Sequence, residues 1–216
     1  MKKILQIFIT SSIILITSFS FSQNQKIDEK KIKYFDENYN LISKTEYENR
    51  KFKKSLLSIQ GDSLNHKILS ARTYQGRLEN KKILDSLLSS TTNNKIDSSK
   101  TMVIIYYPGK DPCNSSGTAT KSSRKAWNEE LEKKLYKITQ TKPIYIYKDK
   151  DGIEKYDGIM TWHKDPYGTI ERLFFKYHYP CESFVVISKK GEFISYFGEY
   201  SKEYVWKVAE ILAENK

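Results

Sequence analysis

The chain has only two cysteines, Cys113 and Cys181, in 216 residues. So few thiols exclude a small fold that depends on several disulfides, and they exclude a zinc site built from four cysteines. Three scattered histidines argue against the other common structural zinc sites. At this length the chain can bury a sizeable core without such staples, and it has room for one domain with an appendage or for two small domains.

Arginine is also scarce, although the chain is strongly basic. Only five of the 37 basic residues are arginine, while the formal net charge is +11 at pH 7. Proteins that read nucleic acids usually use the arginine fork for phosphates and bases, whereas a lysine-rich surface is more typical of a solvated face. We therefore expect no nucleic-acid binding. Because there is no glycine-rich loop with phosphate-binding spacing, we predict no cofactor.

The N-terminus has the pattern of an export signal. Two lysines precede an apolar run over residues 4–19, and residues 20–22 place small side chains at the two positions that signal peptidase reads. The run is short for a membrane span and lacks a basic flank after it, so an uncleaved anchor is the weaker alternative. We predict a bacterial signal peptide over residues 1–22, a periplasmic or secreted protein, and no stable membrane span after cleavage. Since no cysteine precedes Cys113, a lipoprotein anchor is not expected.

A polar segment at residues 89–100 contains one apolar residue and has the composition of a linker. It separates an N-terminal extension, residues 23–88, from a larger part, residues 101–216. We interpret the extension as a small α+β unit that packs on the main domain. Its basic charge leaves a partner-docking module open as the alternative.

Apolar spacing predicts three elements within the extension. They are a loose hairpin over residues 32–47, a strand near residues 55–60 and a short amphipathic helix around residues 83–88. This part of the chain shows no catalytic motif and no repeat.

The larger part shows the element order β-α-β-α-β-β-α. The predicted strands cover residues 102–107, 143–147, 183–187 and 192–197, and the predicted helices cover residues 120–138, 169–177 and 201–213. Connections through helices predict parallel neighbours, and a hairpin at Gly191 predicts an antiparallel edge. We therefore expect an α/β fold whose mixed sheet has helices on its faces, with an irregular segment at residues 152–168.

The residues after the first of these strands resemble the redox motif of the thioredoxin-like superfamily. In that family the strand leads into a Cys-x-Pro-Cys motif at a helix start. Here the matching tetrapeptide keeps Pro112 and Cys113, but Lys110 replaces the first cysteine and Asp111 follows it. The motif is therefore degenerate, and the resemblance implies a thioredoxin-like three-layer fold over residues 101–216.

A second stretch, residues 179–187, resembles the cis-proline loop and following strand of the same family. The resemblance implies a cis peptide bond before Pro180, although Cys181 stands at the usual place of that proline. Because this loop packs beside the redox motif in the family, Cys113 and Cys181 could be neighbours. A static disulfide, a cycling pair and two free thiols all stay open.

The resemblance also implies roles for residues of the site. Cys113 would be the reactive thiol and Cys181 its resolving partner, with Lys110 lowering the pKa of Cys113 and Asp111 opposing that effect. The run before Cys113 also resembles peroxiredoxins, but Lys110 stands where their pattern has threonine or serine.

His178 lies three residues before Cys181, so these two residues and Cys113 offer ligands for a metal. The spacing is not a standard zinc pattern, and we interpret His178 as a polar loop residue.

Two function classes follow from the sequence. The first is an exported thiol–disulfide redox protein that acts on a protein thiol or disulfide. The second is a non-catalytic thioredoxin-fold module that binds a protein partner and holds a static Cys113–Cys181 bridge.

Overall fold

A computed structural model of the chain describes residues 31–214. The predicted signal peptide, residues 1–22, lies outside the described residues and stays a prediction. Within the described range the protein is an α/β structure with two mixed sheets and six α-helices. No helix among these residues is both long and apolar enough to cross a membrane.

Ten strands form the two sheets of the described range. They are β1 (Lys33–Phe35), β2 (Leu41–Ile42), β3 (Leu57–Gln60), β4 (His66–Ser70), β5 (Thr73–Arg77), β6 (Met102–Tyr107), β7 (Ile144–Tyr147), β8 (Trp162–Lys164), β9 (Ser183–Ile187) and β10 (Glu192–Tyr196). The helices are α1 (Lys44–Lys53), α2 (Lys81–Thr92), α3 (Pro112–Ser115), α4 (Lys121–Thr139), α5 (Thr169–Phe174) and α6 (Lys202–Glu214).

The smaller sheet has the strand order β2-β1-β4-β3, in which only β1 and β4 are parallel. The predicted hairpin exists as β1 and β2, but its second half is wrong because the chain enters α1 after Ser43. The Ser43 hydroxyl caps that helix by accepting the N–H of Glu46, and a Glu46–Arg50 ion pair joins its first and last turns. Tyr47 is the residue of α1 that is buried against this sheet.

The larger sheet has the strand order β5-β10-β9-β6-β7-β8. The predicted parallel neighbours are confirmed by the parallel pairs β6–β7 and β7–β8. The predicted hairpin is confirmed by the antiparallel pair β9–β10, whose turn contains Gly191 with a φ of 86°. Such a backbone conformation is accessible to glycine at little cost.

Strand β6 is buried along its whole length, as its continuous apolar sequence predicts. Val103 and Ile105 face the layer formed by α4 and α6, whereas Ile104 and Tyr106 face the layer that contains α2 and α5. The sheet therefore lies between two helical layers, and the loops at the carboxyl end of β6 are held on a rigid support.

Two elements of the predicted extension belong to the larger sheet or its core. Strand β5 pairs with β10 as an edge strand, and its polar residues are mostly exposed, so it gives no apolar alternation in the sequence. Helix α2 continues to Thr92 because Leu88 is fully buried in the core below β6. Residues 89–92, expected in the linker, are therefore helical.

One further strand lies in the segment that we expected to be irregular. Strand β8 pairs in parallel with β7 through the register Tyr145↔Trp162 to Tyr147↔Lys164. It is three residues long and lies at the edge of the sheet, which is why the pattern around it reads as loop.

Candidate functional site

A disulfide joins Cys113 to Cys181, 68 residues apart, with 5.2 Å between their Cα atoms. Cys113 lies in the single turn of α3, shortly after β6, and Cys181 lies shortly before β9. Because β6 and β9 are antiparallel neighbours, the end of one meets the start of the other. The expected proximity of the two cysteines is confirmed, and the alternative of two free thiols is wrong for this structure.

Asp111 fixes both loops that carry the cysteines. Its carboxylate caps α3 by accepting the N–H of Asn114 at 2.8 Å, and the Asn114 side chain accepts the N–H of Asp111 at 3.1 Å. The other carboxylate oxygen accepts the N–H of Cys181 at 2.8 Å. Only 7% of the Asp111 side chain is exposed, so these bonds are shielded from water. The sequence pointed to Asp111 as an electrostatic influence on Cys113, not as this cross-loop acceptor.

The turn before β9 is made by Cys181, which has a left-handed φ of 65°. The peptide bonds of the described residues are all trans, so the predicted cis bond before Pro180 is wrong. A non-glycine residue in the left-handed region costs about 1 kcal/mol, which the bridge and the Asp111 hydrogen bond offset. Pro112 occupies the first position of α3, where its missing N–H costs nothing.

Lys110 is exposed, and its side chain has no ion pair or hydrogen bond with the residues that the structure describes. Its effect on Cys113 stays a prediction. The cation held within the site is Lys155, whose ammonium donates to the Asn114 carbonyl at 2.7 Å and lies 5.1 Å from the centre of the Tyr156 ring. Burial lowers the pKa of Lys155. No motif in the sequence marks this lysine.

His178 lies beside the Asp111 carboxylate. Its Nε2 atom is 3.7 Å from the Asp111 Oδ2 atom, and half of its side chain is exposed. Asp111, Cys113 and Cys181 each place one potential ligand atom within 4.8 Å of the other two. The histidine that we interpreted as a polar loop residue is exposed, and it borders this group through Asp111.

A cavity of about 480 Å³ opens directly beside Cys181. Its walls include two cations, Arg124 and Lys155, and three aromatic side chains, Trp127, Tyr156 and Tyr200. Among the described residues the Arg124 guanidinium has no carboxylate partner. The cavity can accept a mixed polar and aromatic group next to the bridge.

Glu182 is the acidic group at the inner wall of this cavity. Tyr156 and Tyr200 donate hydrogen bonds to its two carboxylate oxygens, the second at 3.3 Å. Burial raises the pKa of Glu182, while these hydrogen bonds and the positive charge of Lys155 act in the opposite direction. The sequence could have suggested this residue only through its position next to Cys181.

We compared the chain with family models, curated proteins and solved structures, and none of them matches it significantly.

Proposed function

We propose that this is an exported, thioredoxin-like protein that carries out thiol–disulfide exchange through Cys113 and Cys181. The strand order β7-β6-β9-β10 supports the proposal, because the parallel β6–β7 pair and the antiparallel β9–β10 hairpin form the arrangement that the resemblance implies. The packing of α4 and α6 on one face of the sheet and of α5 on the other also supports it.

The observation that carries the redox role is the asymmetry of the bridge. Cys113 is exposed and Cys181 is half-buried, so a partner thiol can approach the Cys113 sulfur from solvent. The cavity beside Cys181 leaves room for the side chains that flank that thiol.

The exchange takes place in two displacements. A partner thiolate attacks Sγ of Cys113, the bond between the two cysteine sulfurs breaks, and the electron pair leaves on Sγ of Cys181, which then takes up a proton. A second partner thiolate then attacks the partner sulfur of the mixed disulfide, and Cys113 leaves as a thiolate that takes up a proton. The partner dithiol is thereby oxidised to a disulfide, and the bridge is reduced to two thiols.

The Asp111 carboxylate favours the alternative function, a structural module with a static bridge. It lies near both sulfurs, and a negative charge there disfavours a thiolate. In that case the bridge would serve to hold the two loops together for a partner.

A glutathione redox titration of the folded protein separates the two functions. Exchange predicts a reduction potential above about −300 mV, since structural disulfides of secreted proteins lie below that value. Insulin reduction in the presence of dithiothreitol should be accelerated and should be lost in Cys113→Ser. Ser116→Ala, an exposed change at the end of α3 that leaves both cysteines, is the matched control. A potential below about −300 mV with no insulin reduction would establish the static alternative.

Export rests on the pattern of residues 1–22, and it has a test of its own. N-terminal sequencing of protein recovered from the periplasm or the medium should begin at Gln23. A chain that keeps residues 1–22 and stays in the cytoplasm would contradict this part of the proposal.

A further inference from the structure

The bridge is surrounded by side chains that could bind a metal ion once its two sulfurs are separated. Cys113, Cys181 and Asp111 place ligand atoms within 4.8 Å of one another, and His178 brings Nε2 to 3.7 Å from Asp111 Oδ2. Two thiolates, one imidazole and one carboxylate are ligand types that zinc accepts in tetrahedral sites.

One distance already agrees with such a site, whereas His178 lies outside the group whose ligand atoms are all within 4.8 Å of one another, so its exposed side chain has to rotate toward the sulfurs. Around a tetrahedral zinc ion with bonds of about 2.0–2.3 Å, neighbouring ligand atoms are about 3.3–3.8 Å apart. The separation between His178 Nε2 and Asp111 Oδ2, 3.7 Å, already lies in that range. After reduction, rotation of the two cysteine side chains separates their sulfurs, and the Cα atoms can stay at 5.2 Å.

Asp111 is held in place before any ion arrives. One of its oxygens accepts the Asn114 N–H and the other accepts the Cys181 N–H, each at 2.8 Å. Hydrogen bonds of this kind orient metal-ligating carboxylates. Cys113 and His178 are exposed, so an ion can enter from solvent.

We propose that the reduced protein binds one Zn²⁺ ion through Cys113, Cys181, Asp111 and His178. The carboxylate ligand favours Zn²⁺ over Cu(I), which prefers a purely soft ligand set. This inference goes beyond the exchange function and requires only that the bridge can be opened.

The oxidation state of the two cysteines controls whether the site can bind Zn²⁺. The closed bridge offers no thiolate. A phosphine opens it by supplying two electrons and becomes a phosphine oxide with an oxygen atom from water, leaving two thiols. Binding of Zn²⁺ then displaces the two thiol protons, so that the ion, two thiolates and one carboxylate together carry a charge of −1. The half-buried Lys155 ammonium, which donates to the Asn114 carbonyl beside the site, partly balances this charge.

The test uses the full chain after reduction with a water-soluble phosphine. The phosphine and any metal ions are then removed under oxygen-free conditions. A thiol assay should count two thiols, and circular dichroism should show that the reduced protein is folded. Titration with Co²⁺ should give one equivalent of binding, with sulfur-to-cobalt charge-transfer bands and the intense visible bands of tetrahedral cobalt. Zn²⁺ should displace the cobalt and remove the bands. The oxidised protein should show neither.

Variants assign the ligands. Cys113→Ser should weaken the charge-transfer bands strongly, and His178→Ala and Asp111→Asn should each raise the Zn²⁺ dissociation constant at least about tenfold. Asparagine keeps the oxygen that caps the helix but loses the acceptor of the Cys181 N–H, so the circular dichroism of reduced Asp111→Asn is measured to separate a lost metal contact from a lost fold. His66→Ala, which changes a histidine of β4 in the smaller sheet, should bind as the unaltered protein does.

Three results would overturn the proposal. The first is a reduced protein that gives no saturable cobalt bands, whether it stays folded or not. The second is an unchanged Zn²⁺ affinity in both His178→Ala and Asp111→Asn. The third is a bridge that excess phosphine does not open in the folded protein. Zinc binding without insulin reduction would refute the exchange function alone, and the reverse result would refute the zinc site alone.

Discussion

The Asp111 carboxylate accepts the backbone N–H of Cys181 at 2.8 Å across 70 residues of sequence. The same carboxylate caps the helix that carries Cys113. The two loops are therefore joined twice, once by the sulfurs and once by this hydrogen bond, and the second link remains when the first is reduced.

Asp111→Ala should lower the free energy of unfolding by about 2 kcal/mol, because the helix loses its cap and the partly buried N–H of Cys181 loses its acceptor. Asp111→Asn should cost less, since an amide oxygen can still cap the helix. Denaturant unfolding of both variants under oxidising conditions measures the difference. Equal stability of Asp111→Ala and the unaltered protein would contradict the cross-loop role.

The bridge should contribute about 4 kcal/mol to stability, because it closes a loop of 68 residues in the unfolded chain. The double variant Cys113→Ser, Cys181→Ser should show this loss in urea unfolding. The reduced, metal-free protein is the matched comparison and should have nearly the same stability. A double variant that is as stable as the oxidised protein would show that the closed loop adds nothing.

Because the pKa of Glu182 is raised in the folded protein, the unfolding free energy should fall as pH rises. The folded protein favours the protonated carboxyl, so this group's contribution is fully present below its ordinary pKa of 4.5 and is lost as pH rises through the folded value. Glu182→Gln removes the titration. As pH rises above about 4.5, the unfolding free energy should fall more in the unaltered protein than in Glu182→Gln. Parallel pH profiles would show that Glu182 does not titrate in this way.

The buried ion pair between Lys81 and Asp85 should be costly to break. Its atoms are 2.8 Å apart and both side chains are less than a tenth exposed. Asp85→Ala should destabilise by about 3–5 kcal/mol because it leaves a buried ammonium without its carboxylate, with only the Ser98 carbonyl as an acceptor at 3.5 Å. The double variant Lys81→Met, Asp85→Leu should lose much less, and thermal unfolding compares the two. If both lose the same amount, the buried charge is not the cause.

The sequence predicted those parts of the fold whose side chains are buried at regular spacing. Strand β6 is apolar at every position and was expected, as were α4 and the β9–β10 hairpin. Strand β5 was not expected, because an edge strand with exposed side chains carries no alternating pattern. Helix α1 was expected to be partly strand, because its stability comes from a cap and an ion pair rather than from an apolar face.

Some residues of the candidate site could also be predicted from the sequence, and others could not. The two cysteines could be paired from the sequence because the resemblance supplied the topology that brings them together. Lys155 and Glu182 could not be assigned, since their importance comes from burial beside a cavity that several distant elements form. His178 had the right chemistry, but its distance to Asp111 depends on the conformation of a loop that no local pattern encodes.

The Cys113–Cys181 bridge also turns part of the chain into a closed ring. The ring contains α4, β7, β8 and α5, while the smaller sheet and α6 lie outside it. A protease cut between residues 114 and 180 would therefore leave two fragments that migrate together in non-reducing electrophoresis and separate only after reduction. In a compartment rich in proteases, a nicked molecule would keep all of its pieces, and its function would end with reduction rather than with cleavage.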